Sequence, residues 1–137
     1  MILLDTNVIS EPQRLKPSQR VLDWLDAQAL ETLFLSAVTV AELRAGIALM
    51  PAGKRQDGVH AYLEDHLLPL FANRVLAFDA GCTKAYAELL ARSRAAGVTV
   101  QTADAFIAAI ALAHGFSVAT RDATPFEVFF FPFLPPF

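Results

Sequence analysis

The sequence predicts an α/β fold in which a parallel sheet is covered by helices on both faces, and three observations lead there. The chain opens on Met1-Ile2-Leu3-Leu4, an apolar run with no polar alternation, the pattern of a strand buried on both sides. Comparable short runs recur at Leu33-Phe34-Leu35-Ser36, Val75-Leu76-Ala77-Phe78 and Phe116-Ser117-Val118-Ala119-Thr120. Between them lie segments whose apolar residues have helical spacing, and strands alternating with helices join by right-handed crossovers into a parallel sheet.

Asp5 stands where the first strand should end. In an open α/β sheet the carboxyl ends of the central strands form the crevice where ligands bind, so a carboxylate there sits at the favoured place for chemistry. Ser10-Glu11-Pro12 and Lys16-Pro17-Ser18 then mark a loop with two breakers, and Ser18 is placed to cap the next helix. Over residues 19–29, Val21, Leu22, Trp24, Leu25 and Ala29 fall at helical spacing. After the second strand, Thr39-Val40-Ala41-Glu42 opens a helix that runs to Met50-Pro51, and Ala52-Gly53 breaks the chain. A helix over residues 55–68 carries His60, Glu64 and His66 before Pro69 ends or kinks it. Asp79 follows the third strand and caps a long helix that stops at Gly97. Thr102-Ala103-Asp104 introduces a strongly apolar helix closed by His114-Gly115, and the fourth strand leads straight into Arg121-Asp122. The tail from Pro125 to Phe137 holds six Phe residues. So apolar a segment is expected to add an edge strand, pack on the core or line a partner interface.

A length of 137 residues suits one domain spanning 1–137, and 55% hydrophobic residues indicate a large buried core. Basic and acidic residues number 11 and 14, for a net charge of −3, which excludes the broad basic footprint of a self-sufficient nucleic-acid binder. With four acids set aside as metal ligands the remainder is near neutral, so an anionic substrate would be held by local Arg and Lys groups and by bound metal. Cys82 stands alone, which excludes an internal disulfide and a cysteine-rich zinc site and fits a reducing cytoplasm. The first residues lack the basic n-region of a signal peptide, and the longest uncharged run is shorter than the ~20 apolar residues of a membrane span. The expectation is a soluble, cytoplasmic protein with no membrane partner.

Four acidic residues organise the functional reading, although each has an ordinary explanation. Asp5 can form an Asx turn, Glu42 can complete a capping box with Thr39, Asp104 can favour its helix dipole, and Asp122 can polarise a turn. Their joint placement says more. Asp5 and Asp122 follow strands, while Glu42 and Asp104 open helices on the same expected edge of the sheet, so all four can point into one crevice. Crowded carboxylates repel unless protonated or neutralised by a cation. Oxygen ligands without His or Cys select Mg²⁺ or Mn²⁺, which keep several waters and share coordination with substrate phosphate. The chemistry this implies is metal-dependent hydrolysis of a nucleic-acid backbone.

Four motifs now carry a resemblance: Leu3-Leu4-Asp5-Thr6-Asn7, Ala41-Glu42-Leu43-Arg44-Ala45-Gly46, Ala103-Asp104-Ala105-Phe106-Ile107-Ala108-Ala109 and Val118-Ala119-Thr120-Arg121-Asp122. In this order and at these separations they resemble a PIN-domain protein, specifically a VapC-type toxin of a bacterial type II toxin–antitoxin pair. The opening through Glu11-Pro12 is particularly similar to the FitB branch. The resemblance implies a three-layer α/β/α sandwich with a central parallel sheet and ribonuclease activity dependent on Mg²⁺ or Mn²⁺. It puts Asp5, Glu42, Asp104 and Asp122 at the family's four acidic positions, with Thr6, Asn7 and Thr120 beside them to orient ligands or water. It also implies a homodimer, a cognate VapB-type antitoxin in a hetero-oligomer, an RNA substrate, and operator DNA reached through the antitoxin. Leu134-Pro135-Pro136-Phe137 departs from the more usual Asn-Pro-Trp-like ending.

Arg121, leaving the same strand end as Asp122, is a candidate phosphate ligand, whereas Arg44 is read as solvated. His60 and His66, six apart, do not share a helical face and are read as surface groups, and His114 as a surface or capping group. Two rival functions remain. Asp5 after a strand faintly resembles a phosphotransferase nucleophile, but no Lys adjoins any of the four acids. The second rival, supported by the apolar tail and low positive charge, is a catalytically weak regulatory module that reaches operator DNA only through its antitoxin.

Overall fold

The computed structural model describes residues 1–127 and, for the backbone alone, Phe133–Leu134. Five strands, β1 (Ile2–Leu4), β2 (Leu33–Ser36), β3 (Val75–Leu76), β4 (Ser117–Ala119) and β5 (Phe133–Leu134), form one sheet in the order β3-β2-β1-β4-β5. Every pairing is parallel. β1 is central, with Leu3 beside Phe34 on one side and Val118 on the other.

Because side chains alternate along a strand, Leu3 and Leu4 supply two different cores. Leu3 and Val118 pack with residues of α6 (Thr83–Ala95) and α7 (Thr102–His114), including Leu89, Ala108 and Ile110. Leu4 and Ala119 pack on the opposite face with Val21 of α2 (Gln19–Ala27), Val40 and Ile47 of α3 (Ala37–Ala48), and Leu63, Leu67 and Phe71. Helices on both faces of a parallel sheet give the three layers expected from the sequence.

Several boundaries differ from the sequence reading, each for a local reason. A short helix, α1 (Thr6–Ile9), follows β1 directly, because the Asp5 side chain accepts the Thr6 N–H and caps it. α3 starts at Ala37, two residues before the expected opening, because Ser36 accepts the Thr39 N–H. The expected Thr39–Glu42 capping box is therefore replaced by a Ser36 cap, and Glu42 falls in the second turn. The helix expected over residues 55–68 divides into α4 (Lys54–Ala61), a π-helical turn at Tyr62–Leu67, and α5 (Leu68–Leu70). The widened turn lies just ahead of Pro69, which has no N–H to donate and whose ring crowds the preceding turn. Asp79 caps a 3-10 turn, Ala80–Cys82, that leads into α6. Ser18 sits at the N-cap of α2 but makes no side-chain cap; its N–H donates to Glu11.

The tail contributes a last short helix, α8 (Thr124–Glu127), with Phe126 buried, and β5 then adds an edge strand beside β4. The rest of the tail, including Phe129, Phe130, Phe131 and the Pro135-Pro136-Phe137 ending, lies outside the described residues, and so does its expected role in an interface. Among the described residues no helix is long and apolar enough to cross a membrane.

α7 owes its close approach to the sheet to Ala105, Ala108 and Ala109, all at most 3% exposed. Ala108→Leu inserts three carbons where no space is left. It is expected to lower unfolding free energy by about 1–3 kcal/mol, read as a lower urea midpoint at an unchanged m-value.

Candidate functional site

The end of β1 is locked to the end of β4. Asp5 N–H donates to the Ala119 carbonyl at 2.9 Å, and the Thr120 hydroxyl donates to Asp5 Oδ2 at 2.8 Å. Asp5 Oδ1 accepts the Thr6 N–H at 2.8 Å. Asp5 is only 5% exposed and Thr120 is fully buried, so the carboxylate is fixed from two sides by protein donors.

The neighbouring polar residues tie in the remaining segments. Thr6 Oγ1 donates to Glu42 Oε1 at 2.7 Å and lies 3.1 Å from Thr39 Oγ1, which joins α1 to α3. Asn7 Oδ1 accepts the Arg121 N–H at 3.0 Å, and Thr120 Oγ1 accepts the Asp122 N–H at 3.1 Å. Asp122 Oδ1 accepts the Thr124 N–H at 3.2 Å, so this carboxylate also starts α8. Asp104 lies in the first turn of α7, half-buried, and no hydrogen bond among the described residues holds it.

Asp5 and Asp104 both feel the other acids. Burial pushes Asp104 from the ordinary aspartate value of 3.8 up to about 6, and the charges of Asp5, Glu42 and Asp122 push in the same direction. Burial also raises Asp5, against the hydrogen bonds from Thr120 and Thr6, with Glu42 and Asp122 adding to the rise. Residues 5, 42, 104 and 122 thus share one electrostatic neighbourhood although they come from four separate segments. Among the described residues, no three His, Cys, Asp or Glu groups are arranged to hold a metal ion as the side chains stand. The donor set nevertheless fits a hard divalent cation of the Mg²⁺ type, which binds through one or two carboxylates and keeps several waters rather than needing an all-protein cage.

A family model described as PIN domain matches residues 2–128. The chain belongs to the PIN-domain family. Among relatives, plasmid stability protein StbB of Pseudomonas syringae pv. tomato is 78% identical over 127 residues, covering 93% of this chain and 91% of the relative. VapC ribonuclease Y4jK of Sinorhizobium fredii is 55% identical over the same length, with the same coverage. A solved structure of FitAB bound to an IR36 DNA fragment superimposes with a TM-score of 0.96 at 46% identity, covering 99% of this chain and 95% of that one. This PIN domain therefore resembles VapC and FitB proteins along most of its length, as its motifs indicate.

Sequence reasoning misses two residues of the site. Thr39, fully buried behind Thr6, reads in the sequence as half of a capping box. Glu11, 1% exposed, reads only as part of a loop. Its carboxylate accepts the Ser18 N–H at 2.8 Å and pairs with Arg121 Nη1 at 2.6 Å and Arg14 Nη1 at 3.4 Å. Burial pushes Glu11 up, but the Ser18 N–H and the two guanidinium groups outweigh it and hold the carboxyl below the usual range. A glutamate and an arginine 110 positions apart leave no periodic or local signal of their pairing. Arg121, expected to meet phosphate, thus spends one guanidinium nitrogen on Glu11. Arg44, expected to be solvated, pairs through two nitrogens with Glu64 at 2.8 and 3.0 Å.

The opposite shifts of Asp104 and Glu11 give stability opposite pH dependences. Between about pH 4 and 6, folded Asp104 holds a proton that the unfolded chain has released, so metal-free stability falls as pH rises through that window. Asp104→Asn removes this slope and is expected to raise metal-free stability at pH 7 by about 1 kcal/mol, a figure reduced for solvent screening of a half-exposed group. Urea titrations in EDTA across that range check it. Glu11 works in the other sense: its stabilisation is present above the ordinary glutamate value of 4.5 and is lost as pH falls below it. Glu11→Gln is expected to cost about 2 kcal/mol at pH 7, and less as the titration moves into acid.

Proposed function

We propose that this PIN domain is a metal-dependent endoribonuclease, the toxin of a type II toxin–antitoxin pair, with Asp5, Glu42, Asp104 and Asp122 as the ligands of Mg²⁺ or Mn²⁺. What supports the reading is that Asp5 and Asp104, delivered by separate segments to the carboxyl edge of a parallel sheet, are both pushed above the ordinary aspartate range and both feel the charges of Glu42 and Asp122. The name of the relative Y4jK, a VapC ribonuclease, supports the reaction class.

The chain's own residues divide the work. Thr120 and the Thr6 N–H fix both oxygens of Asp5 and aim their remaining lone pairs. Thr6 orients Glu42 through its hydroxyl, and the Thr124 N–H orients Asp122. Asp104, free of such restraint, can turn to suit what binds. A divalent ion held by this set supplies the positive charge that activates water and stabilises the leaving oxygen in phosphodiester hydrolysis. Asn7, bonded to the Arg121 backbone, keeps the loop after β4 at the crevice wall.

The partners proposed are a VapB-type antitoxin, a second copy of the chain, RNA as substrate, and operator DNA reached through the antitoxin. The FitAB complex with a DNA fragment supports that set. The setting proposed is the cytoplasm.

Purified protein is expected to cleave single-stranded RNA with Mg²⁺ or Mn²⁺ and to stop in EDTA. Asp5→Asn should lower the rate by roughly two to three orders of magnitude, the loss of several kcal/mol of charge stabilisation. Expression should arrest growth, and Asp104→Asn should relieve the arrest. Cleavage that persists in EDTA sinks the metal mechanism; soluble wild type that leaves growth untouched and RNA intact sinks the toxin.

A further inference from the structure

We propose that Arg14, Lys16 and Arg55 form a phosphate-binding track for single-stranded RNA at the rim of the acidic crevice. The inference rests on the ribonuclease reading and extends it to where the substrate backbone runs. An open groove of about 490 Å³ is lined by Arg14, Leu15, Lys16 and Arg55: three cations, one apolar side chain and no acid. All four are exposed.

These charges are available in a way that those of Arg44, Arg74 and Arg121 are not. Arg44 is clamped on Glu64, and Arg74 donates to the carbonyls of Leu30, Leu33 and Leu70, where it braces the starts of β2 and β3. Arg121 is taken by Glu11. By contrast, Arg14 meets Glu11 only at 3.4 Å with its side chain 60% exposed, and Lys16 makes no ion pair among the described residues. Arg55 reaches the Gln13 carbonyl at 3.5 Å, a long contact that keeps α4 beside the loop and leaves the charge unneutralised.

The groove is also tied to the crevice. The buried Glu11 carboxylate touches both Arg14 and Arg121, and the Arg121 N–H is bonded to Asn7, next to Asp5 and Thr6. Phosphates approaching four acids are repelled, and a chain of net charge −3 has no general attraction to offset this. A short row of exposed cations, linked to the loop after β4 through Glu11 and Arg121, supplies the attraction locally. An open groove lined by cations suits a single strand followed along its backbone, and Leu15, 85% exposed, offers an apolar surface to a ribose or base.

The test measures binding of a fluorescently labelled single-stranded RNA to full-length Asp104→Asn protein, with and without Arg14→Gln, Lys16→Gln and Arg55→Gln together. Each phosphate contact contributes about 0.7 to the slope of log affinity against log salt, so the triple change should flatten that slope by about 2 and weaken binding by roughly 10- to 100-fold. Replacing both arginines by Lys should retain most of the affinity, because a point charge suffices. Equal affinity and slope in parent and triple variant, both folded by circular dichroism, overturn the track alone. Wild-type protein that neither binds nor cleaves the RNA with Mg²⁺ present overturns the track and the ribonuclease reading together. If the triple change weakens binding of the antitoxin but not of RNA, the groove is a protein-binding surface and the track is overturned.

Discussion

The hydrogen bond from the Thr120 hydroxyl to Asp5 is the contact on which the site depends. It joins the ends of two neighbouring strands, β1 and β4, through residues 115 positions apart in sequence. A carboxylate almost wholly withdrawn from water is costly unless donors replace its hydration. Asp5 has two such donors, and one of them, the Thr6 N–H, is itself the first orphan donor of α1. One side chain thereby ends a strand, starts a helix and faces the crevice. Everything else near it is arranged relative to these fixed oxygens: Thr6 reaches outward to Glu42, Thr120 receives the Asp122 N–H, and Asn7 receives that of Arg121.

The apolar scaffold and the acids stand in opposition. Leu3, Leu4, Leu35, Val118 and Ala119 are fully buried and make the sheet stable without any help from the crevice. Asp5 and Asp104 at its edge subtract from that stability, since desolvation and like charge both disfavour their ionised forms. Glu11 shows that the same fold can bury a carboxylate at little cost when it surrounds it with an N–H and two guanidinium groups. Under the proposed function, the different treatment of Glu11 and Asp104 separates an acid that braces the fold from one offered to a metal ion.

Much of this is legible in the sequence because it rests on local rules. Unbroken apolar runs mark the central strands; the carboxyl-edge rule draws attention to Asp5; Gly115, at φ 70°, closes α7 as a glycine should. Errors arise where two local rules compete. Thr39-x-x-Glu42 satisfies a capping box as well as Ser36-x-x-Thr39 satisfies a cap, and only the end of β2 decides between them. Helical spacing through residues 55–68 is real, but Pro69 acts on the turns ahead of it, and periodicity cannot show how far. The pairing of Glu11 with Arg121 has no local trace at all, because it is created by the crossover that sets β4 beside β1.

That pairing bears on the proposal that the crevice takes a cation from outside. Arg121 adjoins Asp122 in sequence and, if free, would be a positive group available to the acids. Glu11 holds one end of its guanidinium at 2.6 Å and turns it toward the loop at Arg14. Accordingly, every charge that bears on Asp5 and Asp104 is negative: Glu42 and Asp122 act on both, and Asp5 on Asp104. A buried acid placed outside the crevice thus keeps it uncompensated. An internal salt bridge would relieve the repulsion and fill the place of the proposed divalent ion, whereas diverting the arginine would leave the repulsion standing as binding energy for that ion.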